Sequence, residues 1–292
     1  MFASQVVEAN LTLFPYAKWS SELPVLADRY KQGDPVPLIS LTNFLPVEVV
    51  REAAREFPAA DTAAWTHYQH HNEDKHGLGK REAFPPRLGA LADELNSSRF
   101  LEWLSQLTGI PDLISDPSLE GGGLHQSRRG GFLNMHTDFS HHHYHKNWRR
   151  RLNLILYLNA GWQPHWGGAF ELWDSRMRRC VAKYPPDLNQ ALIFNTDEKS
   201  FHGFPEPLSC PEDVSRNSLA LYYYTIDRNS RPSARSTDYR ARPGDGVRKS
   251  ALIWMDKQAV HLYSSAKARF RFSDDFVSKI LGLISGRRRG KS

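Results

Sequence analysis

The chain has 292 residues, 40% of them hydrophobic and 12% aromatic, which suits one sizeable buried core and excludes a disordered composition. No apolar run approaches the roughly 18 to 20 residues of a membrane span, and the start MFASQVVEANLTLF lacks the basic opening and continuous apolar stretch of a secretory signal. The formal charge of +6 gathers in Arg149, Arg150 and Arg151, in the segment from Arg228 to Arg248 and in the tail GRRRGKS, so it reads as solvated surface and a basic end, and a nucleic-acid partner is not expected.

The first third reads as mainly helical. PLISLTNFLPVEVVREAAREFP predicts a short strand, a turn, and then an amphipathic helix opened by Leu45 and Pro46, with Val47, Val50, Ala54 and Phe57 on its apolar face. SSRFLEWLSQLTGI predicts a second helix, capped by Ser97 or Ser98, ended by Gly109 and buried along Phe100, Leu101, Leu104 and Leu107. Trp65, His67 and Tyr68 suit either a lid or the core. From about residue 120 the texture becomes strand-like: RLNLILYLN, GGAFELWD, QALIFNT and NSLALYYYTI, separated by turn signals such as Gly167-Gly168 and Pro185-Pro186. Strands at that spacing suggest a sandwich or jelly roll, and helices packed against it make the class α+β. Residues from Asp227 to Lys249 read as a long polar loop. A last helical pattern within Ser250 to Ser285 carries Phe276, Ile280, Leu281 and Ile284 as its stripe. The expected organisation is therefore a helical part over 1–118, a jelly-roll core over 119–228 and a basic loop with a helical extension over 229–292, forming one structural unit. Cys180 and Cys210 are the only cysteines, the usage of a cytoplasmic protein with free thiols.

The chemistry concentrates in GGFLNMHTDFS. His136 and Asp138 stand at i and i+2, which on a strand places both side chains on one face. One imidazole and one carboxylate can then bind a single metal ion, and His202 in KSFHGFPEP, just after the strand QALIFNT, is placed to supply the third ligand. Two imidazoles and a carboxylate on one face leave positions open, the signature of non-haem iron(II) oxygenases. Zinc accepts the same atoms, so the ligands alone do not choose the metal. With thirteen histidines in the chain, His-x-Asp alone is a weak signal. The string His141-His142-His143-Tyr144-His145 reads as a loop at the pocket rim, outside the metal set.

From Gly121 to Thr225 the order His136-Thr137-Asp138, RLNLILYLN, GGAFELWD, Phe201-His202-Gly203 and Arg216 resembles the 2-oxoglutarate- and iron(II)-dependent dioxygenases, in the prolyl 4-hydroxylase-like branch. The resemblance implies a double-stranded β-helix with Fe(II) held by His136, Asp138 and His202 at its mouth. It also implies 2-oxoglutarate and O2 as co-substrates and release of succinate and CO2, with ascorbate as a stimulant. In that family an arginine at the place of Arg216, fourteen residues after His202, pairs with the distal carboxylate of 2-oxoglutarate. A guanidinium suits that role because it binds carboxylate in a bidentate fork and keeps its charge when buried. The alternative is a surface arginine at a strand start, and Arg228 is a weaker competitor. Tyr157 occupies the position of a tyrosine that bonds the same carboxylate, although a plain core tyrosine fits there too. Asn153, four residues earlier on the same strand face, is expected to line the pocket. Some relatives carry a tyrosine where this chain has Gln126. Halogenating relatives lack the carboxylate ligand, so Asp138 favours hydroxylation.

The expected activity is thus hydroxylation of an unactivated C–H bond in a small-molecule or peptidyl substrate: a prolyl residue, an amino acid or a natural-product intermediate. A cupin-like metalloenzyme that does not use 2-oxoglutarate and a non-catalytic basic binding module are the alternatives.

Overall fold

The computed structural model describes residues 12–62, 64–227 and 235–270, with side chains as far as residue 258. Arg228, the stripe Phe276, Ile280, Leu281 and Ile284, and the basic tail lie outside the described residues.

The chain begins with α1 (Tyr16–Lys31), β1 (Leu38–Leu41) and α2 (Val47–Arg55). Pro46 stands at the N-cap of α2, as expected, but the buried face is Val49, Val50 and Ala53, while Val47 is 48% exposed. With valine at 47, 49 and 50, a nine-residue helix offers two overlapping faces, and the neighbours it packs on choose between them. A hairpin follows, β2 (Thr66–His70) and β3 (Glu73–Leu78), which the polar strings THYQH and EDKHGL did not suggest. Trp65, just before it, is buried in the main core and forms no lid. Then come α3 (Pro86–Leu95) and α4 (Ser98–Thr108). The Ser97 hydroxyl accepts from the Phe100 amide at 3.2 Å and caps α4, while Gly109, at φ 72°, ends it in the left-handed conformation. Trp103 joins Phe100, Leu104 and Leu107 in its buried stripe, and Leu101 sits at the margin.

The remaining strands are β4 (Ile114–Ser115), β5 (Gly123–Ser127), β6 (Phe132–Thr137), β7 (Trp148–Tyr157), β8 (Phe170–Trp173), β9 (Cys180–Tyr184), β10 (Ala191–Asn195), β11 (His202–Phe204), β12 (Arg216–Ile226) and β13 (Asp238–Tyr239), before α5 (Gly246–Phe270). The antiparallel order is β1-β10-β7-β12-β5-β3-β6-β11-β8-β9. This is a jelly roll in which β3 joins the β5 side to the β6 side, within an α+β architecture.

Alternation on β7 explains the layering. Leu152, Leu154 and Leu156 pack outward with Leu219, Leu221, Leu104 and Leu107 in the helix-covered core, while Asn153, Ile155 and Tyr157 point inward. Each of these fully buried leucines contributes roughly 2 kcal/mol. Both faces of the strand are therefore buried, and the segment reads as nearly continuous apolar sequence.

Residues outside the core complete the sheet. β1 pairs with β10, and β2–β3 bridges the two sides, so the stretch before residue 118 supplies strands as well as helices. The polar stretch after residue 229 contains β13, which pairs with β6, and α5 starts at Gly246, ahead of the expected Ser250. Cys180 and Cys210 are free, and among the described residues no helix is long and apolar enough to cross a membrane.

Asp256 of α5 docks on His70. Both ring nitrogens of His70 face carboxylates, Nδ1 at 2.6 Å from Asp256 and Nε2 at 2.9 Å from Glu73. Burial alone opposes charging this imidazole, but the two carboxylates outweigh it and push its pKa up to about 9. A folded-state pKa above the unfolded one means that this stabilisation is complete below about pH 6.5 and is lost as pH rises through 9. Urea denaturation should therefore show stability falling by up to about 3 kcal/mol between pH 6.5 and 10. The slope should flatten in His70→Gln.

Candidate metal centre

β6 and β11 run side by side with His202 directly opposite His136. Asp138 lies just beyond the end of β6. One donor atom from each of His136, Asp138 and His202 falls within 4.8 Å of the others. His136 Nε2 lies 3.8 Å from Asp138 Oδ1, and His202 Nε2 lies 3.6 Å from Oδ2. Bonds of about 2.1 Å at right angles place neighbouring donors about 3 Å apart, so the three donors, within 4.8 Å of one another, must draw together to meet one ion.

The protonation states suit a cation. The His136 Nδ1–H donates to the Asn134 carbonyl at 3.0 Å and the His202 Nδ1–H to the Ser200 carbonyl at 2.7 Å. Carbonyls only accept, so the lone pair of each ring is on Nε2, toward Asp138. Burial lowers the His136 pKa to about 3, the neighbouring His202 adding to the effect, and burial also lowers that of His202. Burial opposes ionisation of Asp138, but Arg150, then His202 and His136, hold its carboxyl below the usual range. Two neutral imidazoles and an ionised carboxylate are the state a divalent ion requires.

Arg150 and Asn153 form the support of Asp138. Arg150 donates to the Asn153 amide oxygen from Nε at 2.9 Å and Nη2 at 2.6 Å. This turns the Asn153 NH2 toward Asp138 Oδ2, at 2.8 Å, while Arg150 Nη2 lies 3.3 Å from Oδ1. The guanidinium stacks 3.4 Å from the Tyr222 ring centre and 4.5 Å from that of Phe139, a desolvated cation–π site. Asn153 thus lines the pocket, and its hydrogen bonds go to Asp138 and Arg150. The sequence reading did not single out Arg150, which looked like one of three surface arginines. The arginines at 149 and 151 are exposed and half-buried, whereas a register shift between β7 and β12, which pairs Leu152 with Tyr223 but Arg150 with Tyr224, breaks the strand alternation and turns Arg150 inward to 2% exposure.

At the other end of the same pocket Arg216 is buried. Its Nε donates to the Gly168 carbonyl at 2.7 Å and its Nη2 to the Tyr157 hydroxyl at 3.2 Å, with the Phe204 ring 4.2 Å away. Burial lowers its pKa, partly offset by Tyr157. Among the described residues no carboxylate pairs with it, so its desolvation is left without an anionic partner. The expected tight turn at Gly167-Gly168 is part of this arrangement. Gly168 has φ 75°, and a Cβ there would stand 2.6 Å from Leu208 and 3.0 Å from Arg216.

Other expectations fare differently. Gln126 faces away from the pocket and bonds Asn217 at 3.0 Å, while its neighbours His125 and Ser127 face in. Alternation along GLHQS carries that information. Burial, then Lys75, lowers the His125 pKa to about 3, so it presents a neutral ring. Lys75 itself lines the pocket from β3, paired with Glu73 at 3.0 Å, and no local motif marked it. The histidine string is structural and lies outside this pocket. His142, 1% exposed, approaches Asp116 at 3.3 Å, and His143 approaches Glu120 at 3.1 Å, which pins the turn before β5.

Residues 122–224 match the family model of the 2OG-Fe(II) oxygenase superfamily. The chain is 29% identical over 143 residues to prolyl 3-hydroxylase OGFOD1 of Mus musculus, a match over 48% of this chain and 24% of that protein's length. The chain therefore spans about a quarter of that relative. Among solved structures, a prolyl 4-hydroxylase from Phytophthora capsici aligns over 94% of this chain and 96% of its own at TM-score 0.50 and 17% identity. A Trichoplax adhaerens prolyl hydroxylase in complex with a hypoxia inducible factor peptide aligns over 72% and 93% at TM-score 0.50 and 15% identity. At these identities the structures support the jelly-roll fold.

The support around Asp138 predicts a metal-affinity effect. Asn153→Ala should weaken Co(II) binding roughly tenfold, read by titrating the visible absorption of the ion, with far-UV circular dichroism unchanged.

Proposed function

We propose, on the premise that residues 122–224 are a 2OG-Fe(II) oxygenase domain, that the chain is an Fe(II)- and 2-oxoglutarate-dependent dioxygenase that hydroxylates an unactivated C–H bond. One observation carries this reading. A cluster of two neutral imidazoles and one carboxylate opens onto the same pocket as a buried arginine that lacks a carboxylate partner.

In this reading His136, Asp138 and His202 are the metal ligands, and the other positions of the ion remain open for co-substrates. Arg216 receives the distal carboxylate of 2-oxoglutarate, and the Tyr157 hydroxyl, already 3.2 Å from the guanidinium, shares it. Asn153 and Arg150 orient the Asp138 carboxylate and keep it ionised. Phe170 stacks against the His202 ring with centres 5.3 Å apart, and Phe194 meets it edge-on at 5.0 Å, which excludes water from that side. The bound iron with 2-oxoglutarate and O2 supplies the oxidising chemistry, in which the keto acid becomes succinate and CO2. The protein contributes binding, orientation and a dry, charge-matched site.

A peptidyl or small-molecule substrate suits the pocket. The likeness to a prolyl 3-hydroxylase directs the first search to prolyl residues, followed by free amino acids and natural-product intermediates. With both cysteines free, a reducing compartment such as the cytoplasm suits the chain.

The test is conversion of 2-oxoglutarate to succinate with Fe(II) and ascorbate. Asp138→Ala and His202→Ala should each abolish it, and unchanged turnover in either would sink the reading. Arg216→Ala should raise the KM for 2-oxoglutarate at least tenfold, since a charged hydrogen-bond partner is lost. A mass gain of one oxygen in a panel of prolyl peptides and amino acids would identify the hydroxylated molecule.

A further inference from the structure

Asp256 stands far along the chain from the metal cluster, on α5, outside the segment that matches the oxygenase family. It is a carboxylate 7% exposed, and two hydrogen-bonded chains leave it. Both end on the pocket.

The first runs through amides. The Asn72 NH2 donates to Asp256 Oδ2 at 2.6 Å and also faces the Ile253 carbonyl at 3.3 Å. The Asn72 amide oxygen accepts from the Asn134 NH2 at 3.2 Å, and the Asn72 carbonyl accepts from the Asn134 backbone N–H at 2.8 Å. The Asn134 carbonyl is the group that accepts from His136 Nδ1. Asn72 is 0% exposed and Asn134 1%, so water does not compete for these bonds. The second chain runs from Asp256 through His70 and Glu73 to Lys75, whose side chain lines the pocket. The same C-terminal segment places Tyr239 on β13 opposite His136, with ring centres 5.4 Å apart.

We propose that Asp256 and Asn72 are positioning residues for His136, so that the C-terminal helix sets the geometry of the metal centre. The inference rests on the reading of His136 as a metal ligand. The physical reason is directional. An ionised carboxylate only accepts hydrogen bonds, so Asp256 dictates which end of the Asn72 amide faces the helix. That choice directs the Asn72 oxygen at Asn134 and holds the backbone whose carbonyl fixes the His136 tautomer and ring angle. An asparagine at 256 has the same shape but can present NH2 to Asn72, which leaves the longer contact to the Ile253 carbonyl, at 3.3 Å, to hold the polarity of the chain.

The experiment uses the full chain without metal, titrated with Co(II) and followed by its visible absorption, for wild type, D256N, N72A and a control. The control, Leu104→Val, thins the helix-side core away from the pocket and should lower the melting temperature alone. D256N and N72A should weaken Co(II) binding about tenfold or more and shift its absorption bands, as loss of an outer hydrogen-bond partner does. Leu104→Val should leave affinity within about twofold. Wild-type affinity and spectrum in D256N and N72A would overturn the proposal. So would a loss of affinity in Leu104→Val as large, per degree of melting temperature, as in D256N. Should N72A fail to fold, the isosteric D256N decides alone. His136→Ala separates the two levels: if it leaves Co(II) binding intact, the metal-centre reading fails, whereas binding that is lost in His136→Ala but unaffected by D256N refutes only the role of Asp256.

Discussion

An ionised carboxylate inside a dry barrel is the constraint around which this protein is arranged. Desolvation works against the charge on Asp138, and a neutral Asp138 would be a poor partner for a divalent ion. The protein answers with a cation and an oriented dipole. Arg150 sits between aromatic faces, grips the Asn153 oxygen, and so turns the Asn153 NH2 onto Asp138. Each member depends on the next, which is why a buried polar network of this kind tolerates substitution poorly.

The strands that carry the network also carry its insulation. On β7, leucines at 152, 154 and 156 face the helices while Asn153 and Tyr157 face the pocket. The helix layer of α3 and α4 therefore acts on the site indirectly, by holding the outward leucines and with them the register of the inward residues. The same division operates across the pocket. β12 sends Leu219 and Leu221 to the core and opens with Arg216, whose path is clear because position 168 has no side chain.

The segments before and after the family-matched region complete the pocket. The β2–β3 hairpin fills the gap between the two sides of the jelly roll and brings Lys75 inward. β13 covers the open edge of β6 beside His136, and α5 delivers Asp256 to His70 and Asn72. The sheet edge at His136 is thereby paired, which protects it from other strands and from water.

The amino-acid sequence by itself determined the candidate ligand set and the main strands. The two-residue spacing of His136 and Asp138, the apolar strings around residues 151–159, 190–196 and 217–226, and the order of His202 and Arg216 all act over short range, where strand periodicity makes side-chain direction legible. Tertiary structure alone decided the rest. Arg150 is indistinguishable from its arginine neighbours until the neighbouring strands give β7 an inside and an outside. The β2–β3 hairpin has no apolar alternation because its polar residues are satisfied by partners, such as Asp256, some 180 residues away. Val47 and Val49 compete for one helix face, and the histidine string shows no partner until the fold brings Asp116 beside His142. In each case the deciding energy is a contact between residues distant in sequence, and no local pattern encodes a partner that only the fold brings near.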